Sequence, residues 1–315
     1  MGSNEYLIET EDLTKNFGDF TAVDSLNLKI KENEIFGFLG PNGAGKTTSI
    51  RMMVGLLSPT EGKVKIEGDA TGEPNERVGI CPQNLVIWKE LTSYENIYFM
   101  GKMYDVPSDE LEQRVESILE DLKLTEKRNS PASELSGGMK RRLNLGMSIV
   151  HEPDLVVLDE PTAGLDPQSR HSVWDYIRNL KEEQGRCIIL TTHLMEEADR
   201  LSDRVAIIDR GKLLVVDTPE DLKKSVGKGD SISLELEDKG QNQEVLDMLR
   251  NMDEVIEANE IDENLVLRVM DAVGRMADLT EKIEGNGFEI SDVSISRTNT
   301  LEDVFIHLTG RRLES

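Results

Sequence analysis

The segment EIFGFLGPNGAGKTTSIRMMVGLL, residues 34–57, leaves few folds open. An apolar strand from Glu34 to Leu39 gives way to a glycine-rich loop, which opens a helix with apolar periodicity. Gly40, Gly45, Lys46 and Thr47 fit the pattern G-x-x-x-x-G-K-[ST]. Gly40, Gly43 and Gly45 permit the backbone conformations that turn several N–H groups toward one point. The helix starting near Gly45 adds its positive dipole end. A loop of this kind, which also contains Asn42, Ala44 and Thr48, suits the phosphates of a nucleoside triphosphate. Lys46 would reach the β- and γ-phosphates, and the Thr47 hydroxyl would ligate Mg²⁺.

A second landmark is PDLVVLDEPTAGLDP. Leu155 to Leu158 form a short, wholly apolar run, as expected of a strand inside a parallel sheet. Asp159 ends it where doubly wound sheets place their ligands, and a carboxylate there can hold Mg²⁺. Glu160 follows one residue further on and is the natural group to orient and deprotonate an attacking water. A third landmark, ASELSGGMKRRLNLG, is another glycine-rich helix start, with Ser136 as its cap. The chain thus carries two phosphate-binding helix starts, about ninety residues apart.

Composition narrows the function. The chain has 36 basic and 61 acidic residues, a net charge of −25, which repels nucleic acid and anionic lipid in general. No run approaches the ~18 apolar residues of a membrane span. The opening MGSNEYLIETEDL lacks a basic n-region followed by an apolar run, so no secretory signal is expected. Cys81 and Cys187, in apolar contexts and without a CxxC pair, give neither a metal nor a disulfide framework and fit a reducing cytosol. His151 at a helix end, His171 and His307 lack partners at metal-ligand spacing and read as surface histidines.

LSGGM at 135–139, LVVLDEP and GLDP resemble the signature, Walker B and D-loop of an ATP-binding-cassette (ABC) ATPase. The other stations stand in order: Phe17 at the aromatic A-loop position, Gln83 in GICPQN at the Q-loop, and His193 in ILTTHLMEEAD at the switch position. The resemblance covers about residues 6–222. It implies an α/β P-loop NTPase fold, a RecA-like core with antiparallel β and helical subdomains. It also implies that two copies pack head to tail, each ATP lying between one copy's P-loop and the other's signature. On that pattern Phe17 stacks on adenine, while Gly40, Asn42, Gly43, Ala44, Gly45, Lys46, Thr47 and Thr48 hold the phosphates. Thr47, Gln83 and Asp159 attend Mg²⁺. Glu160 polarises water, and His193 contacts the γ-phosphate. Ser136, Gly137 and Gly138 arrive from the second copy, with Asp166 along the same seam. Met139 departs from the commoner Gln, and Phe17 from the commoner Tyr.

Between Gln83 and Ser136 the chain reads as a helical subdomain, about residues 88–150. Thr92 with Glu95 forms a capping box. Leu111, Val115, Ile118, Leu119 and Leu122 share one helical face. In the family this subdomain receives a membrane subunit. Leu85, Val86, Ile87, Trp88 and Tyr94 form an apolar cluster that is either core or that docking site. A nucleotide-binding domain over 1–226 is followed, after a linker at VGKGDS, by a domain over 227–315. Its order βαββαβ, then a helix at TLEDVFIHLTG, predicts a small ferredoxin-like α+β domain with a regulatory or dimer-supporting role. Residues 226–315 carry 9 basic and 21 acidic side chains and no aromatic platform, which excludes RNA binding. LEDVFIHLTGRRL resembles the C-terminal motif of ABC-2-type exporter ATPases of the daunorubicin-resistance kind. This implies an ATP-driven motor beside a separate permease, cytoplasmic and peripheral on the inner face of the membrane. The alternative is a nucleotide-gated interaction module that assembles a complex without moving a solute.

Overall fold

The structure is a computed structural model that describes residues 6–66, 77–226, 229–270, 272–296 and 300–311. It divides into two compact units between Asp217 and Thr218.

In the first unit β1 (Tyr6–Phe17) and β2 (Phe20–Lys31) pair antiparallel, with Leu26, Leu28 and Ile30 buried at alternate positions of β2. The wholly buried β3 (Ile35–Leu39) runs into α1 (Lys46–Met53), and β4 (Glu61–Ile66) pairs with the other edge of β1. There follow β5 (Val78–Cys81), then the helices α2 (Ser93–Met103), α3 (Ser108–Asp121) and α4 (Gly137–Ile149). The unit ends with β6 (Leu155–Asp159), α5 (Pro167–Glu182), β7 (Cys187–Thr192), α6 (Met195–Leu201), β8 (Arg204–Asp209) and β9 (Lys212–Asp217). The main sheet has the order β5-β6-β7-β3-β8-β9, parallel except for the last pair. Its inner strands are buried on both faces, which is why Leu155–Leu158 and Cys187–Thr192 are almost unbroken apolar runs. Among the described residues no helix is long and apolar enough to cross a membrane.

The helical layer forms as its sequence predicts. Thr92 Oγ1 accepts from Glu95 N while the Glu95 carboxylate accepts from Thr92 N at 2.8 Å, closing the capping box of α2. The stripe Leu111, Val115, Ile118, Leu119 and Leu122 is buried against α2 and α4. The apolar cluster before α2 splits. Ile87, Trp88 and Tyr94 pack on this core, whereas Leu85 and Val86 stay exposed.

The second unit contains α7 (Pro219–Ser225), β10 (Asp230–Leu236), α8 (Asn242–Arg250), β11 (Val255–Ile261), β12 (Asn264–Val269), α9 (Ala272–Gly285), β13 (Ile290–Ser296) and α10 (Leu301–Thr309). The four strands form one antiparallel sheet in the order β11-β12-β10-β13. Alternate residues Ile232, Leu234 and Leu236 of β10 meet Val245, Leu246 and Leu249 of α8 and Leu279 and Ile283 of α9 in a separate core. The division falls nine residues before the expected 226/227 boundary, because α7 packs on α10 and so belongs to this unit. Residues 227 and 228 of the expected linker lie outside the described residues.

His151 is not the surface histidine that its sequence context implied. Its ring stacks on Tyr104 at 3.8 Å between centroids, and burial pushes its pKa down to about 4. The unfolded chain, with an ordinary value near 6.5, therefore binds more protons than the folded one between those limits. Its contribution to stability is complete above pH ~6.5 and is lost as pH falls toward 4. We expect urea midpoints of His151→Phe to depend less on pH across this window than those of the parent; an unchanged slope would show that another group sets it.

Candidate active site

The first half of the site is the loop between β3 and α1. Gly40 leaves β3 so close to β8 that a Cβ would collide with the Ile208 carbonyl oxygen. Gly45, the residue before α1, has φ +100°, in the region that side chains rarely adopt, and faces the Ala22 carbonyl oxygen. No side chain caps this helix start, so its first-turn N–H groups form an anion-binding end. Lys46 is buried, and its Nζ donates to the carbonyl oxygens of Gly40 at 2.6 Å and Pro41 at 3.0 Å. Burial pulls the Lys46 pKa below its ordinary value, opposed by the charges of Glu160 and Asp159. Phe17, Phe20, Ala22, Asn42, Gly43, Ala44, Gly45, Lys46, Thr47, Thr48, Gln83 and Glu160 line a cavity of about 440 Å³.

The second half comes from the ends of β6 and β7, where Asp159 lies in register with Thr191. Thr47 Oγ1 on α1 donates toward Asp159, 3.1 Å from each carboxylate oxygen, and Thr191 Oγ1 donates to the same carboxylate at 2.5 Å. The Glu160 N–H donates to the carbonyl oxygen of Thr191 at 3.1 Å and lies 3.0 Å from its hydroxyl. Glu160 is only 7 % exposed and has φ +49°, an uncommon conformation for a residue with a side chain. Its carboxylate accepts from Gln83 Nε2 at 2.9 Å and meets His193 Nδ1 at 3.2 Å. Thr47 Oγ1 and the Asp159 carboxylate are hard oxygen donors within hydrogen-bond distance of each other, which suits a divalent cation.

The structure therefore gathers the P-loop residues, Phe17, Gln83, Asp159, Glu160 and His193 into one region. Ser136, Gly137 and Gly138 do not line the cavity. Ser136 caps α4, its Oγ accepting from Met139 N at 3.3 Å, and Ser136 and Gly137 are exposed. Gly138 is buried, with no room for a Cβ beside Ser169 Oγ at 2.6 Å. Asp166 caps α5, accepting from Ser169 N at 3.0 Å and Ser169 Oγ at 2.6 Å; these bonds hold its carboxyl below the usual carboxylate range. Sequence reasoning missed Phe20, Ala22 and Thr191. Phe20 pairs with Phe17 across the tight turn from β1 to β2, a hairpin signal present in NFGDFT. Thr191 was marked only by a polar pair ending an apolar strand, ILTTH.

Known proteins resemble this chain throughout. The sequence profile of the family described as ABC transporter matches residues 23–163. The linearmycin resistance ATP-binding protein LnrL of Bacillus subtilis (strain 168) is 34% identical, covering 98% of this chain and 99% of the relative. The daunorubicin resistance ATP-binding protein DrrA2 of Streptomyces coeruleorubidus is also 34% identical, with coverage of 98% and 97%. The Nod factor export ATP-binding protein I of Paraburkholderia xenovorans (strain LB400) is 36% identical, with coverage of 98% and 99%. Among solved structures, a dimeric ATP-binding cassette in a post-hydrolysis state bound to ADP and Pi superposes with a TM-score of 0.60 at 25% identity. It covers 67% of this chain and 98% of that one. Matched almost end to end by ATP-binding proteins of one kind, and carrying a cavity framed by a P-loop and a buried glutamate, the chain belongs to the ABC transporter family as one of its ATP-hydrolysing subunits.

Proposed function

We propose that this chain powers a separate membrane permease by ATP hydrolysis, in the direction of export. Two copies would close head to tail around the nucleotide. The observation that carries this reading is the separation within one chain of two phosphate-binding helix starts. One lines the cavity beside Glu160, and the other, capped by the exposed Ser136, does not line it. A second copy supplies the missing half by symmetry. The likeness to a Nod factor export protein and to linearmycin and daunorubicin resistance proteins supports export, and the likeness to a dimeric cassette supports pairing. A nucleotide-gated interaction module that assembles a complex without moving a solute is disfavoured by the likeness to an export protein, and Gln83, Glu160 and His193 form the hydrogen-bonded cluster that turnover needs.

Mechanism follows from this chain's own groups. Lys46 exchanges the carbonyl oxygens of Gly40 and Pro41 for the nucleotide's phosphates, joined by the loop amides and Thr48. Phe17, about half exposed, offers its ring face to the base, with Phe20 beside it. Mg²⁺ fits the oxygen donors Thr47, Asp159 and Gln83, and when bound it neutralises phosphate charge. Glu160 takes the proton of the attacking water, held in place by Gln83 and His193. His193, 3.2 Å from the Glu160 carboxylate, takes the γ-phosphate contact that the family pattern implies. Ser136 and Gly138 of the second copy close the site. The second unit, whose strand order supports the ferredoxin-like reading, serves regulation or dimer support. The assembly sits on the cytoplasmic side of the membrane through its permease.

Two substitutions separate binding from chemistry. Lys46→Ala is expected to lose nucleotide binding measured with a fluorescent ATP analogue; ordinary affinity would remove the phosphate role from Lys46. Glu160→Gln should bind Mg-ATP normally and lose turnover by roughly 10²–10⁴-fold, the usual worth of a general base. Parent-like phosphate release from that variant would assign the base to another residue.

A further inference from the structure

Arg141 lies in the second turn of α4 and is 4 % exposed. A buried guanidinium is ordinarily paired with a carboxylate, yet its hydrogen bonds here go to backbone carbonyls. Nε donates to the Pro161 oxygen at 2.8 Å. Nη1 donates to the oxygens of Pro82 at 2.9 Å and Gln83 at 2.8 Å. Nη2 donates to the oxygens of Asp159 at 2.8 Å and Glu160 at 2.5 Å. Five carbonyl dipoles thus meet the five N–H donors that a guanidinium owns. Three of them belong to the consecutive residues 159–161, which bracket the left-handed backbone of Glu160, and two belong to the segment carrying Gln83. One side chain therefore fixes both backbones whose side chains meet at 2.9 Å, Gln83 Nε2 on Glu160 Oε2.

The same helix begins at Ser136. One turn before Arg141, Gly138 is wedged against Ser169, whose N–H and hydroxyl hold Asp166. α4 accordingly touches two things at once: the exposed phosphate-binding start and the backbone that aims Glu160.

We propose that Arg141 is a positioning residue joining the Ser136 helix start to the catalytic glutamate of the same chain, so that engagement of α4 by the nucleotide on a second copy tunes turnover at this chain's own site. The inference rests on the reading that Ser136 and Gly138 serve a second copy's nucleotide. It adds a route by which the two sites of such a pair sense one another. A lysine at position 141 keeps the charge but replaces a planar five-donor fork with one nitrogen and three donors, so at least two carbonyls lose their bonds.

The test compares full-length parent, Arg141→Lys and Arg141→Ala. Phosphate release is followed over a range of Mg-ATP, and affinity is measured with a fluorescent ATP analogue. The parent should show a Hill coefficient above one. Arg141→Lys should retain its nucleotide affinity while kcat falls about tenfold or more, equivalent to about 1.4 kcal/mol, and its Hill coefficient should drop toward one. Free guanidinium at millimolar concentration should restore part of the kcat of Arg141→Ala. A parent-like kcat and Hill coefficient in Arg141→Lys would overturn the proposal. So would a non-cooperative parent, or loss of affinity in step with kcat in both variants, which would make Arg141 a structural brace alone. Absence of phosphate release from the parent would instead remove the functional reading on which the inference rests.

Discussion

Parallel pairing of β6, β7 and β3 in register is the constraint on which the site depends. Asp159 stands opposite Thr191, and Leu39 opposite Thr192, so three strands end on one edge of the sheet. The chain leaves that edge as the P-loop, as the Asp159–Glu160 turn and as the His193 segment. Groups more than a hundred residues apart thereby come within hydrogen-bond reach, as Thr47 and Asp159 do. Burial of these strands on both faces makes the register hard to shift, because every side chain has a packed neighbour. The antiparallel sheet and the helical layer then supply what the edge lacks: Phe17 and Phe20 from the first, Arg141 from the second.

Much of this was written in local signals. Unbroken apolar runs marked β3 and β6, helical periodicity marked α3, and Thr92 with Glu95 marked the start of α2. Each is a short-range feature, so a linear reading captures it. The βαββαβ order of the second unit was legible for the same reason. The P-loop, Gln83, Asp159, Glu160 and His193 were found because each belongs to a fixed spacing or to the resemblance to the ABC family.

What escaped was decided by tertiary contact. In MKRRLNL, Arg141 looks like one of three equivalent surface cations, yet it is the buried one, because its turn of α4 faces the carbonyls after β5 and β6. Thr191 is an ordinary strand residue until the register sets its hydroxyl against Asp159. His151 seemed exposed after a helix end and is covered by Tyr104, 47 residues earlier. Helix α7 read as the tail of the first domain and joins the second through α10. None of these has a sequence period or spacing to announce it.

On the proposal that each copy completes the other's phosphate site, nucleotide is the bond between them. The most direct measurement is the solution mass of full-length Glu160→Gln by light scattering after size exclusion, with and without Mg-ATP. A nucleotide-closed pair gives a monomer without nucleotide, a doubled mass with it, and loss of the doubling when Ser136→Arg is added. A mass that stays the same in both conditions would contradict a nucleotide-closed pair.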